Sequence, residues 1–415
     1  MTPLDPGSSR ARDVSTFLRD ALAALLGVEP GAVRDDVPLQ EQGLDSARTL
    51  ALLATISREL GRAVPASALW QYTTLGRLAR YLAGAGGEAP SRAARAARAP
   101  AARPEPVAIV GIGCRLPPDV ATPRGLWEAL AGGADGVREV PPERWVARDW
   151  YDPDPQAAGK TTVRRGGFLD DVAGFDAAFF RISPAEAAQM DPQQRVALEV
   201  SFEALEDAGV VPAGLAGSRT GVFLGAMWQE YGLVAGADAA AITMHSATGW
   251  DNSIIPARVA YALGLRGPAM AVATACSSSL VAVQLAAQSL RRGESDLALA
   301  GGVSLMLHPH TTVAMTKLGA MSPDGRCRAF DAGANGYVRG EGCVVLTLRR
   351  LSDALAAGDR VYAVLRGGAV NNDGASNGLT APNPEAQVEV VRAAWGEADV
   401  PPGEVAYVEC HGTGT

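Results

Sequence analysis

Residues 274–280, Thr-Ala-Cys-Ser-Ser-Ser-Leu, set one thiol, Cys276, beside three serine hydroxyls. An apolar strand-like run, AMAVATA, precedes them and an apolar helix-like run, LVAVQLAAQ, follows. A strand, a tight turn and a helix in this order expose the residue at the turn and aim a helix N-terminus at it. That placement suits Cys276, because a helix N-terminus favours the thiolate. A serine would need a dedicated base, and no neighbouring residue supplies one. If the reaction is acyl transfer from a thioester donor, its energetics point the same way. Passing an acyl group from a thioester to a thiol makes another thioester, a nearly neutral exchange. A serine oxoester would be the poorer donor for a following step. Cys276 is therefore the candidate nucleophile, with Ser277 to Ser279 serving the turn and the helix start. The competing reading is an inert, buried cysteine, the commoner fate of the residue.

Three further motifs carry candidate chemistry. Gly43-Leu44-Asp45-Ser46 stands at the mouth of a helical pattern, where Ser46 suits an N-cap. His411 opens the run HGTGT directly after a strand-like AYVEC, which suits an imidazole held at a strand end. His308-Pro309-His310 has no carboxylate or cysteine at ligand spacing and reads as a loop or surface pair, so no metal is expected. GIGCRLP lacks the third glycine of a dinucleotide loop, since Leu116 stands there. The five cysteines, Cys114, Cys276, Cys327, Cys343 and Cys410, are widely spaced and form no CxxC pair, which argues against a disulfide framework or a zinc knuckle.

The elements that must position these residues fall into two parts. In DVSTFLRDALAALLG, Val14, Phe17, Leu18, Ala21, Leu22 and Leu25 recur at helical steps. A long polar loop leads to a second helix near Ser46 with Leu50, Leu53, Ala54 and Leu60. A small helix around Leu69 and Trp70 and a last one with Leu75, Leu78, Ala79 and Leu82 complete a small bundle. An Ala/Arg/Pro-rich stretch over residues 85–105 has nothing large to bury and reads as a linker. From Val107 the pattern becomes α/β. VAIVGIG, TGVFLGA, AMAVATA, LALAGGVSLML, CVVLTL and VYAVLRGGAV read as strands, and helices are expected at 279–292 and 384–395. Near-continuous apolar strands alternating with helices imply a sheet covered on both faces.

The chain has 415 residues, 47% hydrophobic and 20% charged, enough for more than one domain. Its net charge is −8, which disfavours nucleic-acid binding. No apolar run reaches membrane-spanning length and no signal core opens the chain, so a cytoplasmic location is expected.

Residues 12–84, with the long first loop, the GLDS motif and the closing TTLGRLARYLAG, resemble an acyl carrier protein. The resemblance implies a four-helix bundle in which Ser46 carries 4′-phosphopantetheine, and a helix N-terminus suits its phosphate. Ala47 and Arg48 stand where the family usually has a large apolar residue. Residues 106–415 resemble the ketosynthase domains of modular polyketide synthases through TACSSSL, VAIVGIGCRLP, GLRGPAM, RCRAFDAGANGYVRGEG and HGTGT. Ala273 departs from a frequent aspartate. The implied fold is α/β and thiolase-like, a five-layer αβαβα sandwich that is usually dimeric. The whole is multidomain: a carrier, a linker and a C-terminally incomplete ketosynthase.

The resemblance implies that Cys276 accepts an acyl chain and that His411 helps to bind the malonyl-type extender and stabilise its enolate. A second histidine of the family, in an NxGH-like motif, and a glycine-rich loop do not occur in this chain, so truncation and lost condensation are expected. Implied partners are a phosphopantetheinyl transferase, an acyl-adenylating ligase or another starter-loading enzyme, downstream acyltransferase and carrier domains, and a second copy. A non-elongating ketosynthase, a carrier scaffold with an inactive partner domain and a thiolase using coenzyme A are the rival readings. A decarboxylating loading ketosynthase would have glutamine in place of Cys276.

Overall fold

The computed structural model describes residues 6–39, 42–44, 46–64, 68–69, 72–83, 105–376 and 378–415. Contacts divide the chain into two compact units, Met1–Ala102 with Asn371–Val391 and Arg103–Val370 with Arg392–Thr415.

The first unit is built on helices α1 (Pro6–Leu26), α2 (Ser46–Glu59) and α3 (Leu75–Leu82). Leu18 and Leu22 of α1, Leu52 and Ile56 of α2, and Leu75, Leu78 and Leu82 of α3 close one apolar core with Leu39, Leu44 and Leu69. Each buried leucine contributes roughly 1.5–3 kcal/mol, so the core outweighs weak intrinsic propensity. The buried stripe of α2 is Thr49, Leu52, Leu53 and Ile56, which turns Ala54 out to solvent, contrary to the sequence reading. Four-residue steps from Leu52 govern the face, and Ala54 lies off that line. The side chain of Leu50, Trp70 and the linker other than Glu105 lie outside the described residues.

The second unit holds strands β1 (Val107–Arg115), β2 (Val137–Glu139), β3 (Arg165–Gly167), β4 (Thr220–Gly225), β5 (Ala269–Val272), β6 (Leu297–Ser304), β7 (Gly342–Arg350) and β8 (Ala363–Leu365). Its main helices are α4 (Pro192–Asp207), α5 (Ile254–Ala262) and α6 (Ser278–Arg291). Six strands form one mixed sheet in the order β5-β4-β6-β7-β1-β8. β4 runs parallel to β5 and β6, while β7 is antiparallel to β6 and β1. Strand alternation sorts the core into two layers. Val222, Leu224 and Leu299 pack with Val200 and Ala204 of α4. Phe223, Ala298 and Ala300 pack with Ala282, Ala286 and Leu290 of α6 on the other face. This is why β4 reads as an unbroken apolar run, with all six residues buried.

GIGCR lies within β1 and pairs residue by residue with β7. A Cβ at Gly111 or Gly113 would come within 2.3 Å of the Ala204 or Val200 carbonyl oxygen of α4. These glycines seat a helix on a strand. AYVEC, expected as a strand, forms none. Tyr407 and Val408 are 77% and 62% exposed, and among the described residues no neighbouring strand pairs with the segment. Without a ladder, an extended segment gains neither paired backbone nor a covered face.

Asp191 caps α4, accepting the Gln193 N–H at 2.8 Å while buried. Burial, its largest influence, pushes its carboxyl up to about 6. Because its folded value lies above its unfolded one, the group's contribution is intact below about pH 4 and is lost as pH rises through about 6. Asp191→Asn keeps the cap and removes the titration. Denaturant unfolding from pH 4 to 7 should therefore show the stability difference shifting towards Asp191→Asn by up to about 3 kcal/mol. A pH-independent difference contradicts this.

Candidate active site

Strand β5 leads directly into the turn at Cys276. Ala275 takes a left-handed backbone, φ +57°, a conformation that costs an alanine roughly 1–2 kcal/mol. Local hydrogen bonds hold it. The Thr274 N–H donates to Ser278 Oγ at 2.9 Å, and that hydroxyl donates to the Ala275 carbonyl at 2.6 Å. Ser277 Oγ donates to the Thr274 carbonyl at 2.8 Å. Two of the three serines thus lace the elbow, and Cys276 stands exposed at its apex, immediately before α6. From the other side, the end of β4 fixes the helix start. A Cβ at Gly225 would lie 2.6 Å from Ser279 N and 2.7 Å from the Ser278 carbonyl carbon.

Cys276 borders a cleft of about 520 Å³, walled by Met227 after β4, Ser304 of β6 and the segment Gly340–Gly342. That segment is anchored by Glu341, whose buried carboxylate accepts the Met306 and Leu169 N–H groups at 2.8 Å each. Arg144 completes the cluster at 3.4 Å. A second buried carboxylate, Glu230, accepts the Leu307 and His308 N–H groups and pairs with Arg339. Removing one member of such a buried pair costs about 3–5 kcal/mol. Sequence reasoning gave these four residues no role; Glu341 and Arg339 stand in the GYVRGEG run, where two charges between glycines are the readable signal.

His411 is exposed and does not line the Cys276 cleft; since AYVEC forms no strand, it does not sit at a strand end. Its loop is held from below. Cys327 Sγ contacts the carbonyl oxygens of Thr413 at 3.2 Å and Gly412 at 3.4 Å, and the Gly336 N–H donates to the Gly414 carbonyl at 2.9 Å. Next in the chain stands Tyr337, whose hydroxyl is raised above its ordinary range by burial first, with Arg339 opposing. The HGTGT loop is thus tied to the segment that carries Tyr337. His308 and His310 meet edge to face at 4.2 Å, beside Trp150.

Ser46 is the first residue of α2. Before it, Leu44 is buried and its N–H donates to the Leu39 carbonyl at 3.1 Å, while Gly43 has φ +97°. The first turn of α2 contains no acidic residue, and Arg48 Nη1 donates to the Gly43 carbonyl at 3.0 Å. Ser46 opens this helix and its first turn contains no acidic residue, so the residues described fit an anionic group attached there.

Comparison with known proteins decides the family. A model described as the β-ketoacyl synthase N-terminal domain matches residues 104–354. The chain belongs to the β-ketoacyl synthase family. The C-terminal domain of the same family matches residues 362–415, and a phosphopantetheine attachment site matches residues 16–82. Residues 16–82 are thus a carrier domain for covalently bound 4′-phosphopantetheine, followed by ketosynthase domains. One polypeptide of the phenolphthiocerol/phthiocerol polyketide synthase of Mycobacterium tuberculosis is 48% identical over 97% of this chain. Another polypeptide of that synthase, from the same organism, is 56% identical over 75%. The chain spans only 22% and 20% of their lengths. An oxazolomycin ketosynthase domain from Streptomyces albus superposes with a TM-score of 0.71 at 42% identity, covering 75% of this chain and 53% of that one. The module 6 ketosynthase of the Bacillus subtilis bacillaene synthase gives 0.70 at 41%, covering 75% and 52%. The ketosynthase therefore has the thiolase-like fold of these domains. Among the described residues, no helix is long and apolar enough to cross a membrane, and no group of three metal-ligating side chains forms.

Proposed function

We propose that this chain is an acyl-transferring, condensing segment of a modular polyketide synthase, in which Ser46 is the attachment point and Cys276 the nucleophile. The exposed thiol of Cys276 at a left-handed elbow opening α6 carries this reading. Phosphopantetheine supplies a terminal thiol on a long arm that holds acyl groups as thioesters. Cys276 attacks such a thioester, forms its own, and the donor sulfur leaves with the proton. The α6 N-terminus faces the negative charge that develops there. In the full synthase, rather than in this chain, where His411 lies outside the Cys276 cleft, His411 is the residue to stabilise the enolate formed when a malonyl-type extender loses carbon dioxide, and the carbanion would attack the Cys276 thioester. A phosphopantetheinyl transferase, a starter-loading enzyme such as an acyl-adenylating ligase, and downstream acyltransferase and carrier domains are the partners, in the cytoplasm. A second copy is also proposed. Among the described residues β5 leaves one edge unpaired, with Met270 exposed on it, and Tyr261 of the adjoining α5 is 88% exposed.

The test is the order in which the five thiols react. Cys276, Cys327 and Cys410 are exposed, while burial holds the Cys114 and Cys343 thiols above their ordinary range. An acyl-mimicking epoxide such as cerulenin should modify Cys276 at least severalfold faster than Cys327 or Cys410, by peptide mapping. Equal rates at the three exposed thiols would remove the case for a shaped acyl site.

A further inference from the structure

Strand β6 ends at Ser304, and its ladder to β7 closes there with the pair Ser304 and Gly342. The chain runs on through Leu305, Met306 and Leu307, all buried. Buried N–H groups beyond a ladder need other acceptors. Side chains from other segments supply them. The Leu305 N–H donates to Gln193 Oε1 at 3.3 Å and the Met306 N–H to Glu341 Oε1 at 2.8 Å. The Leu307 and His308 N–H groups donate to Glu230 Oε2 at 2.8 and 2.9 Å. Gln193, Glu230 and Glu341 are all buried. Glu341 is itself on the wall of the Cys276 cleft, and Glu230 belongs to the segment after β4 that brings Met227 to that wall.

Gln193 does not line the cleft, yet it joins two of its walls. It lies in the first turn of α4. Its Nε2 donates to the Trp228 carbonyl at 3.1 Å and to Asp191 Oδ2 at 3.3 Å, while its Oε1 accepts from Leu305. Asp191 thereby fixes which way round the amide lies, nitrogen towards Trp228 and oxygen towards Leu305. Trp228 follows Met227 in the chain and Leu305 follows Ser304. Met227 and Ser304 both line the Cys276 cleft. One neutral side chain therefore ties the segment after β4 to the segment after β6. Glu230 joins the same two segments farther along, at Leu307 and His308. Loss of Gln193 would leave them joined there and release the stretch next to the cleft.

We propose that Gln193 is a positioning residue that sets the width of the Cys276 cleft, and so selects acyl groups by their bulk beside the thioester carbonyl. The inference rests on Cys276 being the nucleophile. Gln193 touches no reacting atom and acts through Met227 and Ser304. Backbone held by a buried amide resists displacement, because releasing either bond leaves a buried carbonyl or N–H without a partner. Walls held in this way discriminate: a fitted pocket separates substrates that differ by one methylene roughly 10- to 200-fold. The carbon beside the thioester carbonyl lies close to the Cys276 sulfur once the acyl group is transferred. A methyl branch on that carbon is the first feature to meet walls near the thiol.

The experiment offers the full chain a mixture of butyryl and α-methylbutyryl thioesters of N-acetylcysteamine, and reads both adducts on Cys276 by peptide mass spectrometry before either donor is exhausted. Both form on the same sample, so a misfolded fraction cancels in their ratio. Gln193→Met keeps the side-chain volume and removes both backbone ties. It should raise the branched-to-straight ratio about tenfold over wild type. At neutral pH Gln193→Glu keeps the acceptor for Leu305 and removes the donor to Trp228, and it should move the ratio in the same direction. Leu205→Ala, in a later turn of α4 and buried in the core, destabilises the unit without touching either tie and should keep the wild-type ratio. A ratio within about twofold of wild type in Gln193→Met, or an equal rise in Leu205→Ala, overturns the positioning role and leaves the nucleophile standing. If Gln193→Met fails to fold, a wild-type ratio in Gln193→Glu overturns it equally. Acylation of wild-type Cys276 by neither donor overturns the nucleophile, and the selectivity with it.

Discussion

Cys276→Ala should leave no acyl group on the ketosynthase unit after incubation with a thioester donor, a loss of a thousandfold or more in transfer rate, on the scale of nucleophile removal in other covalent catalysts. The reason lies in the elbow. Ser277 and Ser278 are already donating to backbone carbonyls, so their hydroxyl protons are engaged in holding Ala275 in its left-handed turn. Neither has an imidazole or carboxylate within the hydrogen bonds made there, and an unassisted hydroxyl is a weak nucleophile. Cys276→Ser separates geometry from chemistry. It keeps the position but should acylate slowly and then hold its oxoester without passing it on. Ser46→Ala provides the matching control on the carrier. Incubated with a phosphopantetheinyl transferase and coenzyme A, it should gain no mass, whereas Cys276→Ala should gain one phosphopantetheine. Intact-protein mass spectrometry reads both. An acyl adduct on Ser277, Ser278 or Ser279 of Cys276→Ala at the wild-type rate would contradict the assignment of the thiol.

Much of this site was legible in the sequence because its signals are local. The elbow needs an apolar strand, a small residue able to take positive φ and a helix start, and these are contiguous from Ala269 to Arg291. The carrier core was legible for the same reason, since Leu75, Leu78, Ala79 and Leu82 repeat at helical steps and all are buried. What escaped depends on contacts between distant segments. Glu341 is joined to Leu169 and Arg144 across nearly two hundred positions, and no spacing rule reaches that far. Ala54 was misplaced because a small apolar residue fits either side of a helix and only the partner helices choose. AYVEC has strand composition, yet composition supplies only propensity; a ladder needs a neighbour. His411 inherited that error, and the structure locates its loop through Cys327 and Gly336 instead.

Gly225→Val should both destabilise the second unit and disable Cys276. The added Cβ would sit 2.6 Å from Ser279 N and 2.7 Å from the Ser278 carbonyl carbon. Both are backbone atoms, so no side-chain rotation relieves the overlap. β4 cannot retreat either, because it is paired on both sides, Gly225 with Val272 of β5 and with Gly302 of β6. The remaining relief is to push the first turn of α6 away from the sheet. That movement breaks the Ser278 bonds to Thr274 and Ala275, and with them the turn that presents the thiol. Overpacking of this kind costs about 1–3 kcal/mol when side chains yield, and a clash with backbone on both sides belongs at or above the upper end. A clear fall in melting temperature should accompany a loss of cerulenin labelling at Cys276 of more than about tenfold, counted on the folded fraction, because about 1.4 kcal/mol of misplacement alone is worth that factor. Gly396→Ala, in the helix Pro384–Ala398, marks the background; a methyl there meets nothing within 4 Å and should be neutral or slightly stabilising. If Gly225→Val melts and labels like wild type, the contact between β4 and α6 does not set the elbow, and the hydrogen bonds of Thr274, Ser277 and Ser278 alone must position Cys276.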